Sequence, residues 1–269
     1  MKRTMNLNLS QTKEPKFFAL AAFILIGINF GIMNTAWSQN KTLLTAGFSV
    51  SPGFGSAYLN DDVFKSYMDS VHSSQSARFM AGAHVWINYS LKKDLDMQIG
   101  LGYQDMGFAR KQENLKVLDP TYPGLGVGII QDKSSTSKGI TYNYHFHYLQ
   151  IPLLFNFYLN RSGDFKWVYS FSAGLATNIL ISQNIQADLS GFTIDSKKTM
   201  KLDSTGFDGR RVSTTLMIGA KFEFKSDKTK SYFIQPIFGF NPISASSNIQ
   251  TNPWYVVVNA GVLFPLTKK

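Results

Sequence analysis

The sequence predicts an all-β protein, an eight-stranded antiparallel transmembrane β-barrel with up-and-down connections. Three observations lead there. Charged residues are only 16% of the 269 positions, against about 25% in ordinary soluble domains. Aromatic residues reach 14%, yet mean hydropathy stays near neutral at −0.09. Such a balance describes segments that alternate apolar with polar residues, and period-2 alternation recurs along the chain.

The same numbers exclude other classes. Each span of a helical membrane protein needs about 20 mostly apolar residues, and the chain has no series of such runs. The absence of Cys excludes a disulfide scaffold, a thiolate metal site and a Cys nucleophile. The aromatic content argues against disorder. The formal charge is +10, which on its own could mark an anionic partner. Lys2, Arg3, Lys13 and Lys16, less Glu14, place +3 of it in the first 16 residues. The rest is scattered with no run of five basic residues, so no nucleic-acid partner is expected.

The N-terminus reads as an export signal over residues 1–38. Lys13 and Lys16 precede the apolar run Phe17–Ile32, which at 16 residues is short for a spanning helix. A small-x-small site follows at Ala36-Trp37-Ser38, with cleavage expected before Gln39. A retained inner-membrane anchor is the alternative. Residues 39–269 then form the barrel domain.

Eight strands are read in the mature region. Thr42–Ser56 comes first, then Phe79–Leu91, with Phe79, Ala81, Ala83, Val85, Ile87 and Tyr89 on its apolar face. In Leu95–Tyr103, Leu95, Met97, Ile99 and Leu101 oppose Asp96, Gln98, Gly100 and Gly102. Gly139–Leu159 is next. Trp167–Ile179 is the cleanest, with Trp167, Tyr169, Phe171, Ala173, Leu175 and Thr177 on one face. Val212–Phe224, Tyr232–Ser244 and Trp254–Phe264 complete the set. Pro152 and Pro236 fall inside strands and, lacking an N–H, suggest a bulge or strand end.

The connections alternate in length. Lys92–Asp94, Asn160–Asp164 and Lys225–Lys230 are tight, whereas Ala57–Ala77, Lys111–Lys138, Ser182–Arg211 and Ala245–Pro253 are long. Outer-membrane barrels show this asymmetry, with short periplasmic turns and long outer loops. Faces opposite the apolar stripes carry Gly, Ser, Asn and Gln, which fit the filled interior of a small barrel. Tyr89, Tyr103, Tyr144, Trp167 and Trp254 near strand ends suggest aromatic belts.

The stretch Tyr148-Leu149-Gln150-Ile151-Pro152-Leu153-Leu154 resembles the Y-L-[EQ]-I-P-L-L motif of the PorT-like outer-membrane β-barrel family of Bacteroidetes. Gly100-Leu101-Gly102-Tyr103 and the terminal Gly261-Val262-Leu263-Phe264 are similar to its other strands. The resemblance covers roughly residues 40–269 and implies a Gram-negative outer membrane, surrounding lipid, and barrel-insertion machinery as a partner during biogenesis. The last aromatic residue, Phe264, stands back from Lys269, whereas many such barrels end on an aromatic.

No catalytic residue, metal site or cofactor is expected. His145 and His147 share one strand face and read as interfacial histidines at the outer end of a lipid-facing stripe. His84 reads as a hydrogen-bonded interior residue, leaving His72 as the free candidate for an enzyme. Gly124–Gly128 lacks the context of a phosphate loop. Asp96, Lys221 and Glu223, with Arg78 as a fourth, are expected as interior charges that must pair, because unpaired buried charge is costly. The expected function is a non-enzymatic barrel, structural, adhesive or secretion-accessory, whose long loops bind a protein partner. A soluble lipocalin-like carrier with inward apolar stripes is the alternative, and a lipid-modifying barrel enzyme a third reading.

Overall fold

In the computed structural model the described residues are 44–60, 73–113, 115, 120–121, 126–127, 138–161, 166–193, 196–202, 208–226, 229–247 and 250–266. The expected export signal over residues 1–38, with Ala36 and Ser38 of its cleavage site, lies outside them, as do Gln39 and His72.

The described strands are β1 (Leu44–Val50), β2 (Gly53–Asn60), β3 (Ser73–Ser76), β4 (Arg78–Met80), β5 (Gly82–Lys92), β6 (Leu95–Gln112), β7 (Pro120–Thr121), β8 (Gly126–Val127), β9 (Gly139–Tyr158), β10 (Trp167–Ser190), β11 (Thr199–Leu202), β12 (Val212–Lys225), β13 (Ser231–Phe240) and β14 (Gln250–Pro265). β1, β5, β6, β9, β10, β12, β13 and β14 form a ring of antiparallel neighbours. The ring closes between the first and last strands, in register from Thr45↔Pro265 to Val50↔Ala260. β2 and β4 carry the first two staves upward beyond a break at Ser51-Pro52, with β2 also paired to β14. The result is a closed eight-stave barrel. Closure matters because a backbone group left unpaired in hydrocarbon costs several kcal/mol.

Side-chain direction sorts the two faces. Phe48, Val85, Leu101, Phe157, Phe171, Leu216, Ile234 and Val256 are exposed on the outside. Ser49, Asn88, Gln98, Gln150, Asn156, Asn178, Gln235 and Asn259 are buried inside. The carrier reading needed the opposite arrangement and is overturned: the apolar stripes face outward and the interior is polar.

Above this zone the pattern inverts. On β9 the outward residues run Phe157, Phe155, Leu153, Ile151, Leu149 and then His147, His145, Asn143. The inward residues run Asn156, Leu154, Pro152, Gln150 and then Tyr148, Phe146, Tyr144, Tyr142, Ile140. On β6 the outward side changes from Leu101 and Tyr103 to Asp105, and the inward side from Gln104 to Met106 and Phe108. β10 makes the same change at a register shift between Leu180 and Ser182. The inversion marks where lipid gives way to water outside the wall.

This upper wall corrects the expected loops. Alternation continues past Tyr103 to Gln112 and past Ile179 to Ser190, and β3 and β11 pair with these extensions. The prolines correct another expectation, since no strand ends at either. The β6–β9 register omits Gly100 and Leu101, opposite Pro152 and Ile151. The β12–β13 register omits Ala220 and Lys221, opposite Pro236 and Gln235. Each strand runs straight on, and the missing donor is absorbed as a local lapse in one ladder.

Glycine in the Gly100-Leu101-Gly102 stretch has a steric cause. A Cβ on Gly100 would lie 2.6 Å from the Trp86 ring and 2.9 Å from Pro152 Cγ, and one on Gly102 would lie 2.3 Å from the His84 ring. Two glycines on β6 therefore let two rings of β5 fill the lumen. Gly100→Leu is expected to destabilise the barrel by about 1–3 kcal/mol through overpacking. Urea unfolding in detergent, followed by the heat-modifiable band on gels, measures it.

Candidate functional site: a filled lumen and an extended wall

The barrel interior holds three layers. At the mouth bearing the tight turns, the start of β1 and the end of β14, Arg161 pairs with Asp96 and donates to Ser90 Oγ at 3.0 Å. Arg161 also lies 4.4 Å over the Tyr158 ring. Lys221 is 1% exposed, with Nζ 3.5 Å from Glu223 and 5.1 Å from the centre of the Phe233 ring. Glu223 accepts from Ser231 Oγ at 2.8 Å. Asp96, Lys221 and Glu223 thus sit in two ion pairs at this mouth.

The middle layer is neutral. His84 Nε2 lies 3.0 Å from Gln150 Oε1, and Gln150 Nε2 donates to Asn178 Oδ1 at 2.8 Å. Asn178 Nδ2 donates to Thr215 Oγ1 at 2.8 Å, and Thr215 donates to Asn241. Ser51 Oγ joins His84 Nδ1 at 3.2 Å and donates to Asn259 Oδ1 at 2.5 Å. Below them Asn156 donates to Gln98 at 2.9 Å, Ser172 to Asn156 at 2.6 Å and Gln235 to Ser172 at 2.9 Å. These chains cross from one wall to the other.

The top layer is apolar. Phe108 and Tyr144 stack with centroids 4.3 Å apart, and Phe146, Tyr148, Met80 and Met106 fill the space around them. Tyr144 is therefore not a belt residue: it is 1% exposed and faces inward, whereas Tyr103 and Trp167 lie exposed on the outer face. The β13–β14 segment folds over the same end. Ala245 and Thr251 are joined by a 2.7 Å backbone bond, Arg210 donates to Ala245 O, and Gly209 bridges Ser246.

In the Tyr148–Leu154 stretch, Tyr148, Gln150 and Pro152 are buried inside, while Leu149, Ile151 and Leu153 face outward. Arg78 departs from its expected place. It does not enter the lumen but pairs with Asp105, Nη2 to Oδ2 2.6 Å, on the outer face. Gly126-Val127 of the glycine-rich stretch pairs with Pro120-Thr121, and its remaining residues lie outside the described ones.

Sequence reading missed two ion-pair partners, Arg161 of a turn and Asp105. It also missed the extended wall. There Asp188 on β10 accepts from Asn143 of β9 (2.7 Å), Thr199 of β11 (2.9 Å) and Gln186 (3.2 Å), clasping three strands on the solvent side. The signal was present as continued alternation, with the polarity of the faces exchanged.

A closed ring, an outward apolar band and a filled polar interior define an integral barrel of the outer membrane. The chain belongs to the outer membrane protein beta-barrel domain family, whose model matches residues 10–231. No curated protein sequence matches it. Among solved structures it is similar to Neisserial surface protein A, with 8% identity, TM-score 0.39, and coverage of 81% of this chain and 96% of that one. It is also similar to Ail, the attachment invasion locus protein of Yersinia pestis (10%, TM-score 0.31, 80% and 98%). The outer membrane protease OmpT from Escherichia coli is a further likeness (7%, TM-score 0.33, 85% and 99%).

Gln150→Leu leaves His84 and Asn178 each short of a buried partner, a loss of about 1–3 kcal/mol. The readout is the urea midpoint of the folded band. The wild-type barrel is expected to show no conductance steps above background in planar bilayers. Stable large steps would contradict the three sealing layers.

Proposed function

We propose that this protein is a non-enzymatic outer-membrane anchor that presents its extended wall to a protein partner. The observation that carries this reading is the wall itself. Spanning takes about 9–11 residues per strand, and β9 and β10 have 20 and 24. Residues 139–147 of β9 add roughly 30 Å of strand at about 3.3 Å per residue. Their inward side has an apolar core of its own, including Ile140, Tyr142, Ile185 and Ala187. Anchoring alone needs none of this. A folded sheet above the membrane, tipped by a cleft of about 610 Å³ lined by Leu189, Phe192 and Lys198 among others, suits recognition on a rigid scaffold.

The finer assignment is a PorT-like barrel of Bacteroidetes, on the Tyr148–Leu154 motif. The export signal is cleaved before Gln39, and barrel-insertion machinery places the chain in the membrane. The role is adhesive, structural or secretion-accessory. An enzyme reading finds no support in Ser51 and His84, which are bonded to one another but sealed inside the wall.

Photo-crosslinking in intact cells tests the proposal. A reactive side chain at Gln186 or Lys201 is expected to give a discrete protein adduct, and one at lipid-facing Val258 none. Absence of any adduct from the upper wall would leave the protein a passive barrel.

A further inference from the structure

Where the apolar band ends, five polar side chains from three strands meet on the outward face. Arg78 of β4 lays its guanidinium against Asp105 of β6, with Nη2–Oδ2 2.6 Å and Nη1–Oδ1 3.3 Å. Nη1 also donates to Tyr144 O at 3.4 Å. Gly107 provides the space, since a Cβ there would lie 2.7 Å from Nη1. His145 and His147 of β9 turn their Nδ1 atoms to the same carboxylate, each at 3.9 Å. Tyr103 Oη lies 2.6 Å from His147 Nδ1, and the two rings stack. Both imidazoles are about a quarter exposed. From β10 the charged group that faces this cluster is Asp188, already held by Asn143, Gln186 and Thr199.

The charges have a simple sum. With neutral imidazoles, Arg78 and Asp105 cancel. Each imidazole that carries a second proton adds one positive charge, so the doubly protonated cluster carries +2. Arg78 engages Asp105 with both terminal nitrogens, so the carboxylate is taken and the described residues here form no metal site. A guanidinium has five N–H donors, and three hydrogen bonds are used here. Among the described residues the polar contacts of both rings run through Nδ1, which leaves Nε2 of each for a ligand. The position is equally specific: on β9 and β6, Leu149 and Tyr103 are the last outward residues of the apolar band, and Phe79 beside Arg78 is exposed as well, so the cluster lies at the border of the band, where a membrane sets its headgroup layer.

We propose that Arg78, His145 and His147 form an acid-strengthened binding site for a phosphate-bearing lipid headgroup of the outer leaflet. The headgroup oxygens accept from Arg78 and the two Nε2–H groups, as basic clusters at membrane surfaces bind anionic lipid. Burial, and then the neighbouring Arg78, hold the His145 pKa below the ordinary histidine range. The sign follows. The empty site favours neutral His145, so the stability this gives is present above the ordinary range and lost as pH falls. A bound anion favours the protonated ring and offsets that loss. By reciprocity, binding the anion raises the His145 titration midpoint.

The test uses the full mature barrel in phosphatidylcholine nanodiscs, with or without phosphatidic acid, and lipid retention read by native mass spectrometry. Retention of phosphatidic acid is expected to rise about fivefold between about pH 8 and about pH 5.5. Histidine NMR is expected to show a higher His145 midpoint when phosphatidic acid is present. The H145Q/H147Q variant, checked as folded by its heat-modifiable band, is expected to lose both effects. Retention that ignores pH, or survives in that variant, overturns the proposal. So does a midpoint shift produced by inorganic phosphate without enrichment of phosphatidic acid, which would make this a site for a soluble anion.

Discussion

The structure depends on one constraint: within hydrocarbon, each backbone donor or acceptor left without a partner costs several kcal/mol. The pairing of β1 with β14 satisfies it, because that seam turns a meander into a ring with no edge. The constraint also explains how Pro152 and Pro236 are tolerated. Proline has no N–H to satisfy, so it leaves only the opposite carbonyl in want of a donor. The two lapses fall on different seams, β6–β9 and β12–β13, so neither is asked to absorb both. A soluble sheet would tolerate a proline most easily at its edge. A closed barrel has no edge and spreads the defects instead.

The second determinant is the change of solvent along a single strand. β9 keeps one phase for 20 residues, yet its apolar side faces out below Leu149 and in above it. Nothing in the backbone turns over; the medium outside the wall does. This is why the spanning zone was legible in the sequence while the upper wall was not. Alternation with the apolar face outward is easily read from Leu95 to Tyr103 or Trp167 to Ile179. Beyond Tyr103 the same alternation continues with Met106 and Phe108 inward, and a search for lipid-facing stripes reads it as loop. The β10 bulge adds to the concealment by moving the phase one residue at Ile181.

Side-chain pairing was less legible still, and for a different reason. Strand faces follow from local order, but partners come from register between strands far apart in sequence. Asp96 was recognisable as an interior charge. Its partner Arg161, 65 positions away, sits in a turn whose direction no pattern encodes. Arg78 was assigned to the lumen by alternation, yet it crosses to the outer face because Gly107 leaves room there and Asp105 offers a bidentate partner. Tyr144 was placed on the belt because it lies near a boundary, but belt residues must also be on the outward phase. Proximity to a boundary and choice of face are separate variables.

The distribution of apolar side chains bears on what this barrel does. In the spanning zone the interior is filled by amides and hydroxyls that hydrogen-bond to one another, each bond worth only about 1 kcal/mol net. Above the membrane the large inward side chains change to Phe108, Tyr142, Tyr144 and Phe146, a core suited to holding strands together in water. A barrel that served as a pore would keep its polar interior continuous to both mouths. A barrel that served only as an anchor would stop its strands at the headgroups. This chain extends the wall and fills it with aromatic residues. The proposed recognition role therefore falls on the outer surface of that wall, with the Arg78–His147 cluster at its foot and β11 on its side.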